Sequence, residues 1–195
     1  MLVYKILRFL LAPLVFIFFR LKINGKENLP KEGGYIICSN HRSNFDPFFV
    51  GLAVRGEVTF IAKESLFKAP VIGAVVKAVQ AIPVARDGKD ISALKSAIKA
   101  LKDGKILGIF PEGTRREVID PQNTKSGIAL IAARAGCPVV PACITGKTHL
   151  FGGVRVKIGQ PIDVESTYAE LLKEKNYNAT SIEIMKKVKE LENGD

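Results

Sequence analysis

Six short apolar runs punctuate the chain at 35–38, 59–62, 82–85, 106–110, 139–144 and 154–158. Each is four to six residues long, and most are apolar throughout rather than alternating. Strands covered on both faces read this way. Between the runs, spacing predicts helices over 47–54, 66–79, 90–102 and 125–135. Asp90 stands before Ile91, Leu94, Ile98 and Leu101, an N-cap residue followed by a helical stripe, and Gly104 supplies a stop. This alternation predicts an α/β fold with a largely parallel central sheet flanked by helices. Residues 168–192 are charged and amphipathic, and predict one helix, or a pair broken near 176–180, packed outside the sheet.

The first 22 residues follow another pattern. Residues 9–19 are eleven consecutive apolar residues, with Lys5 and Arg8 before them, Arg20 and Lys22 after them, and no acid nearby. A membrane-spanning helix takes about 20 such residues, and Pro13 interrupts this shorter run. A secretory signal ends on small residues, whereas Arg20 follows here. A buried helix needs a polar face for water, and none is visible. The pattern therefore predicts an interfacial anchor over residues 1–21, an N-terminal apolar membrane-associated helical segment lying in one leaflet, ahead of a single domain over 22–195. Each of the four cations adds about 1 kcal/mol near an anionic surface.

Composition narrows the partners. The chain has 195 residues, 29 Lys plus Arg against 19 Asp plus Glu, and a net charge of +10. Residues 163–195 carry 5 Lys and 8 acids, net −3, which leaves +13 on residues 1–162. A hydrophobic share of 47% excludes a disordered chain. Cys38, Cys137 and Cys143 show no C-x-x-C spacing and sit among apolar residues, so a disulfide scaffold, a zinc site and a cysteine nucleophile are all disfavoured. Charge alone leaves nucleic acid, an anionic membrane and a phosphorylated substrate open.

Chemistry concentrates where predicted strands end. The segment Ser39-Asn40-His41-Arg42-Ser43-Asn44-Phe45-Asp46-Pro47 joins a strand to a helix, the place where open α/β sheets bind ligands. A turn that brings Asp46 to one imidazole nitrogen of His41 leaves the other to take a proton from a hydroxyl. The opposing reading makes His41 structural and Asp46 an N-cap before a first-turn proline. Phe110-Pro111-Glu112-Gly113-Thr114-Arg115-Arg116 follows another strand; Gly113 permits close backbone approach, Thr114 offers a hydroxyl and Arg115 a fork for phosphate. A turn with solvated arginines has the same sequence. Lys63 and Arg86 follow two further strands, so convergence of the ends predicts a basic mouth with one histidine.

Taken in order, Asn40-His41-x4-Asp46, Ala62-Lys63-Glu64, Ile82-Pro83-Val84-x-Arg86, Phe110-Pro111-Glu112-Gly113-Thr114-Arg115 and Val140-Pro141 resemble the glycerolipid acyltransferases, in particular the bacterial 1-acyl-sn-glycerol-3-phosphate acyltransferases. The likeness spans about residues 22–160. It implies transfer of a fatty acyl group from a thioester of coenzyme A or acyl carrier protein to the sn-2 hydroxyl of lysophosphatidic acid. His41 would be the base and Asp46 its partner. Lys63, Arg86 and Arg115 would hold the acceptor phosphate, with Glu112, Gly113 and Thr114 in the binding loop. It also implies residence on the cytoplasmic face of the cell membrane, with no metal or cofactor. Gln80-Ala81, Ala85 and Ala142 depart from the common pattern and bear on acceptor selectivity, with glycerol-3-phosphate or another lysolipid as the alternative acceptor.

Oxyanion donors are expected from backbone N–H groups around Gly113 or the turn near Asn40. Other chemistries lack their residues. No Gly-x-Ser-x-Gly elbow is present, and Pro141 occupies the first glycine position of a phosphate loop ending at Gly146-Lys147-Thr148. A nucleic-acid module would place aromatic platforms among its cations; this chain has no Trp and concentrates apolar residues at its N-terminus, so no nucleic acid is expected as partner.

Overall fold

All six apolar runs form strands of one seven-stranded sheet, in a computed structural model that describes residues 2–85 and 90–193. The strands are β1 (Lys22–Asn24), β2 (Tyr35–Ser39), β3 (Val58–Lys63), β4 (Ile82–Val84), β5 (Ile106–Ile109), β6 (Val139–Gly146) and β7 (Val154–Ile158). Their order is β1-β7-β6-β2-β5-β3-β4, and every neighbouring pair is parallel except the β6–β7 hairpin. Only β1 lacks an apolar run. It forms because it pairs with β7, Ile23 opposite Val156, across more than a hundred intervening residues.

The helices are α1 (Leu2–Phe18), α2 (Asp46–Ala53), α3 (Pro70–Ala78), α4 (Ile91–Lys102), α5 (Gly127–Ala135), α6 (Val164–Thr167), α7 (Ala169–Lys173) and α8 (Tyr177–Asn193). They cover both faces of the sheet, which is why β2 is buried at every position. On one face Phe19, Phe49 and Val50 pack on Ile37, Val140 and Val156. On the other, Ala97, Leu101, Ile128, Ile184 and Met185 pack on Ile36, Leu107 and Val139.

Local signals account for most boundaries. The Asp90 side chain accepts from the N–H groups of Ser92 and Ala93, at 2.9 and 3.1 Å, and so caps α4 as expected. Gly104 follows α4 at φ +78°, in the left-handed region that glycine enters without strain. The helix expected over 66–79 is divided: Glu64–Lys68 forms a 3-10 turn, Ala69 is extended, and Pro70 opens α3. Proline removes a helix donor and disfavours helical backbone in the residue before it. The C-terminal break falls at Lys175, φ +56°. Beyond it α8 is a packing layer on β6, with Thr180, Ser181, Ile184, Met185 and Val188 buried.

The N-terminal segment is helical through Pro13. One side of α1 is bound to the body: Tyr4 and Val15 are buried, and the Tyr4 hydroxyl accepts from the Val58 N–H at 3.3 Å. The Arg8 guanidinium donates to the carbonyls of Gly56 and Val54, at 2.8 and 2.7 Å. This corrects the assignment of Arg8 to a lipid headgroup, because those carbonyls lie at the open end of α2 and take up its donors. The other side exposes Ile6, Phe9, Leu10, Leu14 and Ile17. Among the described residues no helix is long and apolar enough to cross a membrane.

Candidate active site

Parallel pairing sets the C-terminal ends of β2, β5, β3 and β4 along one sheet edge. His41 lies there, two residues beyond β2. Its approach is fixed by Asn40, only 1% exposed, whose side chain donates to the Ile144 carbonyl at 3.0 Å and accepts from the Ile144 N–H at 2.7 Å. An amide side chain thereby extends the β2–β6 ladder one step and commits Asn40's polar atoms to structure. The His41 backbone is then held from the β5 side: its N–H donates to Glu112 Oε2, and its carbonyl accepts from the Arg116 N–H, both at 2.8 Å.

The imidazole is positioned by a stack. Its ring lies on Phe110 at a centroid distance of 4.5 Å, and Phe110 lies on Phe60 at 5.9 Å. Gly108 makes room for that stack, since a Cβ there would come within 2.3 Å of the Phe60 ring. Asp46 sets the ring's orientation. Fully buried, its Oδ2 accepts from His41 Nδ1 at 2.8 Å, from the Ser43 N–H at 2.7 Å and from the Arg42 N–H at 2.5 Å. A carboxylate only accepts, so Nδ1 carries the proton and Nε2 keeps its lone pair. The N-cap reading of Asp46 is excluded by geometry: Phe45 is the N-cap of α2, and Asp46 and Pro47 open its first turn. The carboxylate bends back onto the preceding turn and the histidine.

Glu112 is 4% exposed and forms the second support. Burial pushes its carboxyl above the ordinary glutamate range, opposed in part by the His41 N–H. Its Oε1 is buried and has no hydrogen-bond partner among the described residues. Gly113 adopts φ +66°, and a Cβ there would meet the Lys125 side chain at 2.7 Å. Its N–H donates to the Phe110 carbonyl at 3.1 Å, which removes that group from the oxyanion donors expected around it. Thr114 and Arg115 are exposed, and Arg115 Nη1 donates to Asn44 Oδ1 at 2.9 Å, joining the two loops across their mouths. Lys63 is exposed at the end of β3, on the same edge, with no hydrogen bond or ion pair to the His41 loop among the described residues. Arg86 lies outside the described residues.

The structure thus brings together His41, Asp46, Glu112, Gly113 and Arg115. Sequence reasoning assigned no role to the Asn40 amide, the Arg116 N–H or the Phe60–Phe110 platform. Asn40 and Phe110 stood in the motifs, but their partners Ile144 and His41 are 104 and 69 residues away. Cys38 is fully buried, and burial pushes its thiol far above the ordinary range, so it is no nucleophile. Among the described residues no three His, Cys, Asp or Glu side chains gather to hold a metal ion.

The Glu112 geometry makes a pH-dependent prediction. Because its carboxyl titrates higher folded than unfolded, its contribution to stability is complete below the ordinary glutamate range and is lost as pH rises through the raised value. Glu112→Gln keeps an acceptor for the His41 N–H and cannot ionise. Relative to the parent chain, its melting temperature should climb from acidic to neutral pH; a constant difference would contradict the burial argument. Glu112→Ala, which orphans the part-buried His41 N–H, should lose about 1 kcal/mol or more.

A family model described as Acyltransferase matches residues 20–145, about two thirds of the chain. The chain belongs to the Acyltransferase family. It is 34% identical over 178 residues to the 1-acyl-sn-glycerol-3-phosphate acyltransferase of Bacillus subtilis, covering 88% of each protein. The enzyme of the same name from Borreliella burgdorferi is 30% identical over 66% of this chain, and there the chain spans 52% of the relative's length. The crystal structure of the 1-acyl-sn-glycerophosphate (LPA) acyltransferase PlsC from Thermotoga maritima superposes with a TM-score of 0.65 at 24% identity, covering 100% of this chain and 97% of that one. That likeness shows a shared fold.

Proposed function

We propose that this acyltransferase moves a fatty acyl group from an acyl thioester to the sn-2 hydroxyl of 1-acyl-sn-glycerol-3-phosphate, giving phosphatidic acid for phospholipid synthesis. The observation that carries the mechanism is the 2.8 Å contact between His41 Nδ1 and buried Asp46, which leaves Nε2 as an acceptor at the sheet edge. His41 Nε2 takes the hydroxyl proton as the oxygen attacks the thioester carbonyl. The C–O bond forms, the tetrahedral intermediate collapses, the C–S bond breaks, and the departing thiolate takes the proton back from His41. Asp46 stabilises the imidazolium between those steps without taking its proton. No acyl-enzyme is needed, because no nucleophile other than the substrate enters the scheme.

The acceptor phosphate is assigned to Arg115, Lys63 and Arg86, with Glu112, Gly113 and Thr114 shaping its loop. Support comes from the Arg115–Asn44 contact, which sets a guanidinium beside the histidine turn. Arg115→Ala is expected to raise KM for a phosphorylated acceptor by about tenfold or more with a smaller change in kcat, since a charge-assisted hydrogen bond contributes about 1.5–3 kcal/mol. An unchanged KM contradicts this role. Coenzyme A and acyl carrier protein present the same phosphopantetheine thioester, and either donor satisfies the scheme.

Residues 1–21 form the membrane anchor in this reading and residues 22–195 the catalytic domain, on the cytoplasmic face of the cell membrane as a peripheral or monotopic protein. Support comes from the exposed apolar side of α1 and from Lys5, Arg20 and Lys22 near its ends. Its acceptor is a lipid, so such an anchor keeps the site at the surface where substrate resides. Assaying phosphorylated and zwitterionic lysolipids in vesicles, each with both donors, tests the substrate: only phosphorylated acceptors should turn over efficiently.

A further inference from the structure

Beyond α1, the exposed apolar residues Leu150 and Phe151 form the tip of the β6–β7 hairpin, 58% and 54% exposed. The hairpin is fastened to the end of α1. The Phe151 N–H donates to the Phe18 carbonyl at 2.5 Å, the Val154 N–H donates to the Phe19 carbonyl at 3.0 Å, and the Phe18 and Phe151 rings lie 5.8 Å apart. It is also fastened to the active site. Arg42, next to the candidate base, donates from Nη1 to the Gly146 carbonyl at the hairpin's base, at 3.0 Å.

Two further features bear on what this tip meets. Phe151 adopts φ +61°, a left-handed conformation that costs a bulky residue energy and that glycine or asparagine would take without it. Phe151 is nonetheless more than half exposed, where a water-facing turn has no use for an aromatic ring. Residues 146–155 contain Lys147 and Arg155 and no acid, and Lys22, two residues after Arg20, pairs with Arg155 in the sheet. Apolar tips ringed by cations match a lipid surface with anionic headgroups. Continuity with α1 through Phe18 argues against a separate protein partner, for which the hairpin alone offers little area.

We propose that the β6–β7 hairpin is a second membrane contact, a finger that inserts Leu150 and Phe151 beside α1 and so fixes the tilt of the domain. Because β6 runs parallel to β2, the tip lies beyond the sheet edge that carries His41, and its insertion turns the mouth of the site toward the leaflet. This rests on the reading of α1 as the anchor.

The chain has no tryptophan, so a single one is an unambiguous reporter. Leu150→Trp and, separately, Phe9→Trp are placed in the full chain and mixed with vesicles of phosphatidylglycerol and phosphatidylcholine, with and without brominated acyl chains. Both emissions should shift to the blue and be quenched by bromine. Quenching at position 9 but not at 150 overturns the finger and leaves the anchor standing. Quenching at 150 but not at 9 overturns the anchor and with it a second contact beside α1; quenching at neither overturns both. A blue shift at 150 that depends on protein concentration without lipid overturns the proposal in favour of contact between copies. Leu150→Asp should lower vesicle partition severalfold while the protein melts as the parent does; unchanged partition overturns the proposal.

Discussion

Replacing His41 with alanine is expected to lower kcat for acyl transfer by about 10²–10⁴-fold, the range a positioned general base contributes. The fold should be little affected. The ring is 21% exposed, and its removal forfeits one stacking contact of about 0.5–1.5 kcal/mol with Phe110. The backbone groups of His41, which the Glu112 carboxylate and the Arg116 N–H hold, survive the substitution. A His41→Ala protein that melts near the parent yet transfers acyl groups at a normal rate would take the histidine out of the mechanism. Adding Asp46→Ala should reduce kcat little further, since the two residues act as one unit.

The second large effect is at Asp46, and it divides stability from chemistry. Asp46→Ala removes one oxygen that accepts from His41 Nδ1 and from the Arg42 and Ser43 N–H groups. A fully buried donor left unpaired costs about 1–3 kcal/mol, and these three part-buried ones cost less each, so the protein should lose roughly 2–5 kcal/mol, more than His41→Ala loses. Asp46→Asn can offer its carbonyl oxygen to the same three donors and should recover much of that loss. It cannot supply the negative charge that stabilises the imidazolium, so kcat should still fall by about 10²-fold or more. Urea unfolding and steady-state rates on both variants read the two quantities separately. Equal stability of Asp46→Ala and the parent would contradict the assigned role in the turn; full activity of Asp46→Asn would contradict the electrostatic one.

What the sequence made legible was local. Apolar runs too short for helices mark every strand with two covered faces, and Asp90 and Gly104 mark the ends of α4 because caps act within a few residues. Lys22–Asn24 was invisible, since its pairing is set by β7 and not by its own three residues. Pro70 was legible in principle: a helix pattern running through it yields to the missing donor. At the site, His41 and Asp46 were nameable from spacing, but Asp-Pro at a helix start fits a cap equally well. Only the observed turn separates the two readings. Glu112 appeared as a substrate-loop residue, whereas one of its oxygens is spent holding the His41 backbone, a contact between residues 71 apart. The helix at the N-terminus showed the same limit. Apolar residues all round it hid that Tyr4, Val15 and Arg8 face the body.

The opposed demands on Glu112 and Asp46 follow from where they sit. Each is a buried carboxyl group with one oxygen holding the histidine turn and one that has no partner among the described residues. Such groups cost stability unless hydrogen-bonded, and they persist where they fix a geometry that catalysis needs. Together with the Asn40 amide they make the position of His41 a property of two loops and strand β6 rather than of one loop.

The most direct measurement is phosphatidic acid formation by the purified chain in vesicles containing lysophosphatidic acid, followed by mass with acyl-CoA and with acyl carrier protein thioester. The parent chain should form phosphatidic acid with at least one donor, and His41→Ala, equally folded and equally bound to the vesicles, should form it at least a hundredfold more slowly. Formation at the same rate by both proteins, or by neither, would contradict the role given to His41 and the substrate given to the chain.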